Sequence, residues 1–298
     1  MTVKDNKTMK KYEIGAMFHY RAGEDIRARF KLFADNDLNV CQMGASPSLY
    51  TKELAAEIKA ASEEFGIRIS GFWPSVSGPA EWNFVYGPVT IGLVPPGWRG
   101  IRIAEVLRAS EFAEWLGVTD ITMHVGFLPE NPGDPLHTEM VGALRYIARS
   151  IAPRGQYFNF ETGQETPVVL LRMIQEIGLP NLGINLDSGN LILYGKANPA
   201  DAVDVFGKYV RNTHIKDGLY PTDGRSLGRE VPFGEGRVNF PVYIRRLVAS
   251  GYTGPFVVER EISGEKQLTD ILTARDGILK ILAEIEEENA AKTEKPTI

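Results

Sequence analysis

Four short apolar runs in the second half of the chain each end on a side chain that can hold a proton or a cation. Phe158-Asn159-Phe160 leads to Glu161, Gly183-Ile184-Asn185-Leu186 to Asp187, Asn212-Thr213 to His214, and Phe256-Val257-Val258 to Glu259. The intervals, roughly 26, 27 and 45 residues, each fit about one strand–helix unit of a barrel, the last lengthened by a polar, Gly-rich loop over 218–237. Three carboxylates on one low-dielectric rim repel one another and drive pKa values up unless a cation neutralises them. A divalent metal resolves that conflict. Three carboxylates plus one imidazole form a hard-to-borderline donor set without the thiolates of a structural zinc site, so manganese is expected, with magnesium, cobalt or zinc also admissible. Taken singly, each carboxylate reads as well as a solvated strand end or an arginine partner; the metal reading rests on four matching strand ends.

A metal chelated by a carbonyl and an adjacent hydroxyl stabilises the enediolate formed when a carboxylate removes the α-proton. One carboxylate on each face of that intermediate gives epimerisation, and proton return to the neighbouring carbon by a single base gives aldose–ketose isomerisation. Loss of a β-hydroxyl instead gives dehydration, which needs a further acid near the leaving group. The ligands alone do not choose among these. Around them, His124 ends a strand and could contact a substrate hydroxyl or act as an acid. Lys216 follows His214 by two residues, so alternation points it to the same side, where it binds a substrate oxygen or pairs with a carboxylate. His19 lines the pocket or caps. Trp73, Trp82 and Trp98 offer an apolar wall or lid, Glu165 a substrate contact or a helix start, and His137 a structural or exposed histidine. Arg225, Arg229 and Arg237 read as a solvated loop face, with phosphate binding the sharper alternative and no Gly-rich phosphate motif to support it.

The elements that position these residues alternate from near residue 12 to near residue 286. Strands are expected at 12–18, 38–43, 67–73, 120–125, 157–161, 182–187, 209–215 and 256–259, and helices at 24–36, 51–65, 101–116, 136–151, 166–177, 199–206, 240–250 and 268–286. Segment 74–100, rich in Gly, Pro and aromatics, is too long for a turn and reads as a functional loop or lid. Eight strand–helix beats with apolar rather than alternating strands indicate α/β architecture, a single (β/α)8 TIM barrel over 12–286 with flexible ends at 1–11 and 287–298. A doubly wound sheet is the rival, weakened by the lack of a dinucleotide-binding or P-loop motif.

The 298 residues suit one such barrel, and 43% hydrophobic with 24% charged residues supplies a substantial core. A formal charge of -5 disfavours nucleic acid as a partner, and four histidines are too few for a multi-zinc nuclease site. With one cysteine, no apolar run of membrane-spanning length and no apolar segment after the first residues, a cytoplasmic location and no membrane partner are expected.

The ordered set His124-Val125-Gly126-Phe127, Phe160-Glu161, Asn185-Leu186-Asp187-Ser188-Gly189-Asn190, His214-Ile215-Lys216-Asp217, Gly234-Glu235-Gly236, Gly251-Tyr252-Thr253-Gly254 and Glu259 resembles the sugar phosphate isomerase/epimerase family of the xylose isomerase-like barrels over nearly the whole chain. That group includes ketose 3-epimerases, hydroxypyruvate isomerase, inosose dehydratase and, more distantly, endonuclease IV. The resemblance implies Glu161, Asp187, His214 and Glu259 as metal ligands, Glu161 and Glu259 as the proton-moving pair, a carbohydrate substrate, and a homo-oligomer. Asn190 stands where the 3-epimerases place a substrate-binding His, Glu165 lies closer to Glu161 than their second Glu does, and His-Ile-Lys-Asp is nearer the dehydratase and isomerase branches. The leading expectation is a metal-dependent isomerase or epimerase of a small ketose or related polyhydroxy ketone; the alternatives are a dehydratase of a keto-polyol and a barrel that binds metal or sugar without catalysis.

Overall fold

The computed structural model describes residues 12–293. Apolar, β-branched runs become eight parallel strands: β1 (Ile14–Tyr20), β2 (Val40–Ala45), β3 (Arg68–Pro74), β4 (Asp120–Met123), β5 (Tyr157–Glu161), β6 (Leu182–Asp187), β7 (Val210–Ile215) and, after a hairpin described below, β10 (Phe256–Val258). They close in the order β1-β10-β7-β6-β5-β4-β3-β2, a TIM barrel. The main helices are α1 (Ile26–Asp35), α2 (Lys52–Phe65), α4 (Pro96–Leu116), α5 (Pro135–Ile151), α6 (Pro167–Ile177), α8 (Pro199–Phe206), α9 (Phe240–Ala249) and α10 (Glu265–Thr293), with a short α3 (Gly87–Thr90) and α7 (Ser188–Leu193) between them. Starts follow local chemistry: the Thr51 hydroxyl accepts the Leu54 N–H, Asp134 that of Leu136 and Thr166 that of Val169.

The main hydrophobic core lies between the strands and the helical ring, where Phe72, Phe112, Phe158, Phe160 and Tyr243 are fully enclosed. Inside the barrel a much smaller apolar cluster, Met17, Val40, Trp73 and Val257, sits among buried polar residues. Toward the N-terminal end of the strands, Asp120 Oδ1 accepts from Arg211 Nε at 2.7 Å and Asn159 Nδ2 at 2.8 Å. Gln42 and Asn185 bond to each other closer to the C-terminal rim.

Several boundaries differ from the sequence reading. Helix α4 begins at Pro96, because a proline at the first helical position forfeits no hydrogen bond even though Pro95-Pro96-Gly97 looks like loop. The segment 74–100 also contains α3, and α7 follows β6 directly. Residues 218–237 include an antiparallel hairpin of β8 (Asp217–Leu219) and β9 (Arg229–Val231). The Asp217 carboxylate organises this loop by accepting the N–H groups of Gly218, Gly234, Gly236 and Val238 at 2.8 to 3.1 Å. The closing helix continues through 287–293, which were expected to be flexible; the expectations for 1–11 and 294–298 lie outside the described residues. No helix among the described residues is long and apolar enough to cross a membrane.

Candidate metal centre and active site

The register pairs Glu161 with Asn185, two residues before Asp187, and Asp187 with His214, so the three side chains come together at the C-terminal ends of adjacent strands. Val257 pairs with His214, so Glu259, one alternation further, reaches the same mouth. One ligand atom from each of the four lies within 4.8 Å of the others. His214 Nδ1 stands 3.1 Å from Glu161 Oε1, 3.2 Å from Glu259 Oε2 and 3.7 Å from Asp187 Oδ2. Glu161 Oε1, Asp187 Oδ2 and His214 Nδ1 are all buried and make no hydrogen bond. Asp187 carries a second duty: its Oδ1 caps α7 by accepting the Asn190 N–H at 2.7 Å, which fixes the carboxylate and leaves Oδ2 for the site.

The orientation of these donors follows from one indole. Trp73 Nε1 can only donate, and it donates to Gln42 Oε1 at 2.7 Å. That sets the Gln42 amide, so His214 Nε2, 3.0 Å from the same oxygen, must also donate. The imidazole is then protonated on Nε2, and Nδ1 faces the carboxylates, which against the cost of burial raise the ring well above its usual range; a cation bound there would take the place of the Nδ1 proton. The other end of the amide, Gln42 Nε2, donates to Asn185 Oδ1 at 2.8 Å, which turns Asn185 Nδ2 onto Glu161 Oε2. Glu161 therefore presents Oε1 to the site. Gln42→Leu, which removes all three bonds at similar volume, should weaken divalent-metal binding by roughly 10- to 100-fold. Calorimetric titration with manganese checks this, and unchanged affinity would refute the orienting role.

Lys216 Nζ lies 2.6 Å from Glu259 Oε2, 3.0 Å from Asp187 Oδ2 and 3.6 Å from Glu261 Oε2, with its side chain enclosed. Gly189 makes this possible, since a Cβ there would come within 2.6 Å of Lys216 Cγ. Burial pushes Glu259 up, but Lys216 and His214 more than reverse this and hold it well below the usual carboxylate range. At Glu161 burial prevails over the attraction of His214 and pushes the carboxyl up to about 8. The cluster is short of positive charge. With Glu161, Asp187 and Glu259 ionised and the imidazole neutral, as ligation of a metal requires, these three carboxylates and the Lys216 ammonium sum to two negative charges, the complement of a divalent cation. The buried lone pairs, the oxygen-rich donor set and this charge all fit such a cation held by Glu161, Asp187, His214 and Glu259.

Above the cluster is a chamber of about 260 Å³, lined by His19, Trp73, Trp82, His124, Glu259 and Glu261 among others. His124 Nδ1 lies 3.2 Å from the Gln164 amide, which also donates to Tyr194 Oη at 3.0 Å. Burial, reinforced by Lys216, holds the His124 imidazole down at about 4, so the ring is neutral. Trp82 meets it edge-on at 5.0 Å, while Trp73 stacks on His214 at 5.2 Å. The Trp82 loop is tied down twice. Phe84 N–H donates to the Arg225 carbonyl at 2.8 Å, and the buried Arg102 guanidinium donates to the carbonyls of Ser77, Pro79, Thr90 and Gly92. His19 packs so closely on β2 that a Cβ at Gly44 would fall 2.4 Å from its Nδ1.

A family model for xylose isomerase-like TIM barrels matches residues 30–283. The chain belongs to that family. A xylose isomerase domain protein from Planctomyces limnophilus is 33% identical, with 93% of this chain and 99% of that one aligned at a TM-score of 0.86. A xylose isomerase-like TIM barrel protein from Mycobacterium smegmatis, solved in complex with magnesium, is 18% identical over 93% and 98% at a TM-score of 0.69. An L-ribulose 3-epimerase is 16% identical over 96% and 100% at 0.71. No curated protein matches the chain significantly by sequence.

In this xylose isomerase-like barrel the expected residues divide clearly. Glu161, Asp187, His214, Glu259 and Lys216 converge on the cluster, and His19, Trp73 and His124 line the chamber. Trp73 is hydrogen-bonded and stacked rather than a free wall, and Trp82 takes the lid position. Trp98 does not join them; it packs against Gly78 and under Arg102, at 5.7 Å. Asn190 and Glu165 lie outside the chamber lining. Asn190 is drawn into the first turn of α7 by its bond to Asp187, and Glu165 is buried just before the Thr166 cap, where burial pushes its carboxyl up to about 8. Buried His137 pairs with Glu176 at 2.7 Å. Arg225, Arg229 and Arg237 are exposed and line no part of the chamber. The sequence reading missed Gln42, Gln164 and Glu261 and gave Asn185 no role. Gln42 and Asn185 left a signal, an amide inside an apolar run, on the face that alternation turns inward.

Proposed function

We propose that the protein is a divalent-metal-dependent isomerase or epimerase of a small ketose or related polyhydroxy ketone, with manganese the preferred ion. The observation that carries this is the convergence of four side chains with three buried donor atoms that make no hydrogen bond, of which Asp187 Oδ2 has only its ion pair with Lys216. A bound cation supplies Lewis acidity toward a carbonyl and its neighbouring hydroxyl. This chain supplies the rest. Glu161 and Glu259 approach His214 Nδ1 from β5 and from the end of β10, at 3.1 and 3.2 Å, and move the proton at the carbon next to the carbonyl. Lys216 keeps Glu259 ionised, ready to accept that proton. Neutral His124 offers a ring nitrogen to a substrate hydroxyl, His19 lines the same chamber, and the Trp73 and Trp82 rings exclude water.

Incubating manganese-loaded protein with a panel of ketoses in heavy water should place deuterium on the carbon adjacent to the carbonyl. A product lighter by one water would instead assign the chemistry to dehydration of a keto-polyol. Absence of exchange across the panel, with metal demonstrably bound, would sink the proton-transfer reading and leave a barrel that captures metal or sugar. The fold relatives support this through shared architecture alone, and the side chains of the cluster carry the chemistry.

A further inference from the structure

The 260 Å³ chamber has room for little more than one ring, and it falls just below the roughly 300 to 1,000 Å³ typical of pockets for larger ligands. Beside it, between the loop after β1 and the loop after β10, is a second cavity of about 890 Å³. The two adjoin: His19, Glu259 and Glu261 line both. We propose that the substrate is a keto sugar carrying a second ring in glycosidic linkage, its reacting ring in the small chamber and its second ring in this larger compartment. This rests on the proton-transfer reading above and specifies its substrate class.

Both walls of the compartment are braced from within, so the space is preformed. On the β1 side Glu24 accepts from Arg29 Nε at 2.7 Å, and the Glu24 N–H donates to the Arg21 carbonyl at 3.0 Å. On the β10 side Arg260 pairs with Glu230 and Asp270, each at 2.8 Å, and the Glu261 N–H donates to the Glu230 carboxylate. The floor is apolar. Phe33 and Ile271 are buried beneath it, and Leu32, 37% exposed, opens onto it. The rim is polar, with Arg21, Ser263 and Gln267. Arg21 makes no ion pair with any described residue, so its guanidinium can donate to ligand hydroxyls. An apolar floor under a hydrogen-bonding rim matches a pyranose, which has C–H faces and a hydroxyl edge. A free ketose would leave this compartment filled with water and draw no binding energy from it.

The test uses full-length, manganese-loaded protein and two matched pairs: D-fructose with isomaltulose, and 3-keto-D-glucose with its phenyl glycoside. Solvent-deuterium exchange gives kcat/KM, and calorimetry gives binding. In at least one pair the longer member is expected to be favoured at least tenfold. Ala22→Trp, which projects a ring into the compartment from the β1 loop, should erase that ratio, as should Leu32→Trp from α1. Equal handling of short and long members in both pairs, or a preference that survives both substitutions, overturns the proposal. If nothing exchanges, the proton-transfer reading falls, and the calorimetric preference with its loss in the two variants still decides whether the second compartment binds a ring.

Discussion

Glu161→Gln is expected to lower turnover by about 10³-fold or more, with the fold intact. The substitution keeps the volume and removes one charge, but the orienting chain makes its effect larger than that of a lost ligand charge alone. Asn185 Nδ2 donates to the outer oxygen of Glu161, so a glutamine there must offer its carbonyl to Asn185. Its amide nitrogen then points at His214 Nδ1, which stands 3.1 Å from Glu161 Oε1 in the native protein. The N–H would cap the lone pair that a cation needs. Two ligands are thereby lost through one change. Calorimetry with manganese and deuterium exchange should fail together, while the thermal unfolding of the metal-free protein changes little. Retained metal affinity with lost exchange would show instead that Glu161 moves protons without holding the ion.

Lys216→Met should destabilise the metal-free protein by about 3–5 kcal/mol, because breaking a buried ion pair leaves its partner uncompensated. Asp187 is fully enclosed and Glu259 17% exposed, and both lose their ammonium partner at once. For a chain of this size that loss corresponds to a fall in Tm of about 5–8 °C. A divalent ion binds only the folded site, so rising manganese should recover much of the loss through mass action, and more steeply than in the native protein. Differential scanning fluorimetry across a manganese series reads both effects. A variant as stable as the native protein without metal would mean that solvent already screens the two carboxylates. The same experiment separates two roles for Lys216, since a lysine that only touched substrate would leave stability unchanged.

These outcomes bear on how far the chain could be read before its fold was known. The beat of eight strands and the polar residue closing each of the last four were legible, because a strand's period of two and a barrel's single active rim leave few choices. Helix starts marked by Thr51 and Thr166 were legible for the same local reason. The start of α4 was not, since Pro95-Pro96-Gly97 looks like loop and only packing against neighbouring elements establishes it as helix. Asn190 and Glu165 illustrate a further limit. Both follow strand ends within a few residues, yet past the end of a strand alternation no longer specifies direction. Asn190 became part of the first turn of α7, capped by Asp187, and Glu165 turned into the protein interior.

What the sequence determined by itself was therefore the set of donors, Glu161, Asp187, His214 and Glu259, and the face of the barrel they share. Both depend on periodicity and spacing along the chain. The tertiary structure alone decided how those donors are aimed. The controlling bond joins Gln42 on β2 to Asn185 on β6, 143 residues apart, and its polarity descends from an indole on β3. The structure also decided that Lys216 is held by two ligands and that a second compartment adjoins the first. These are properties of distances between distant segments, which no local pattern encodes.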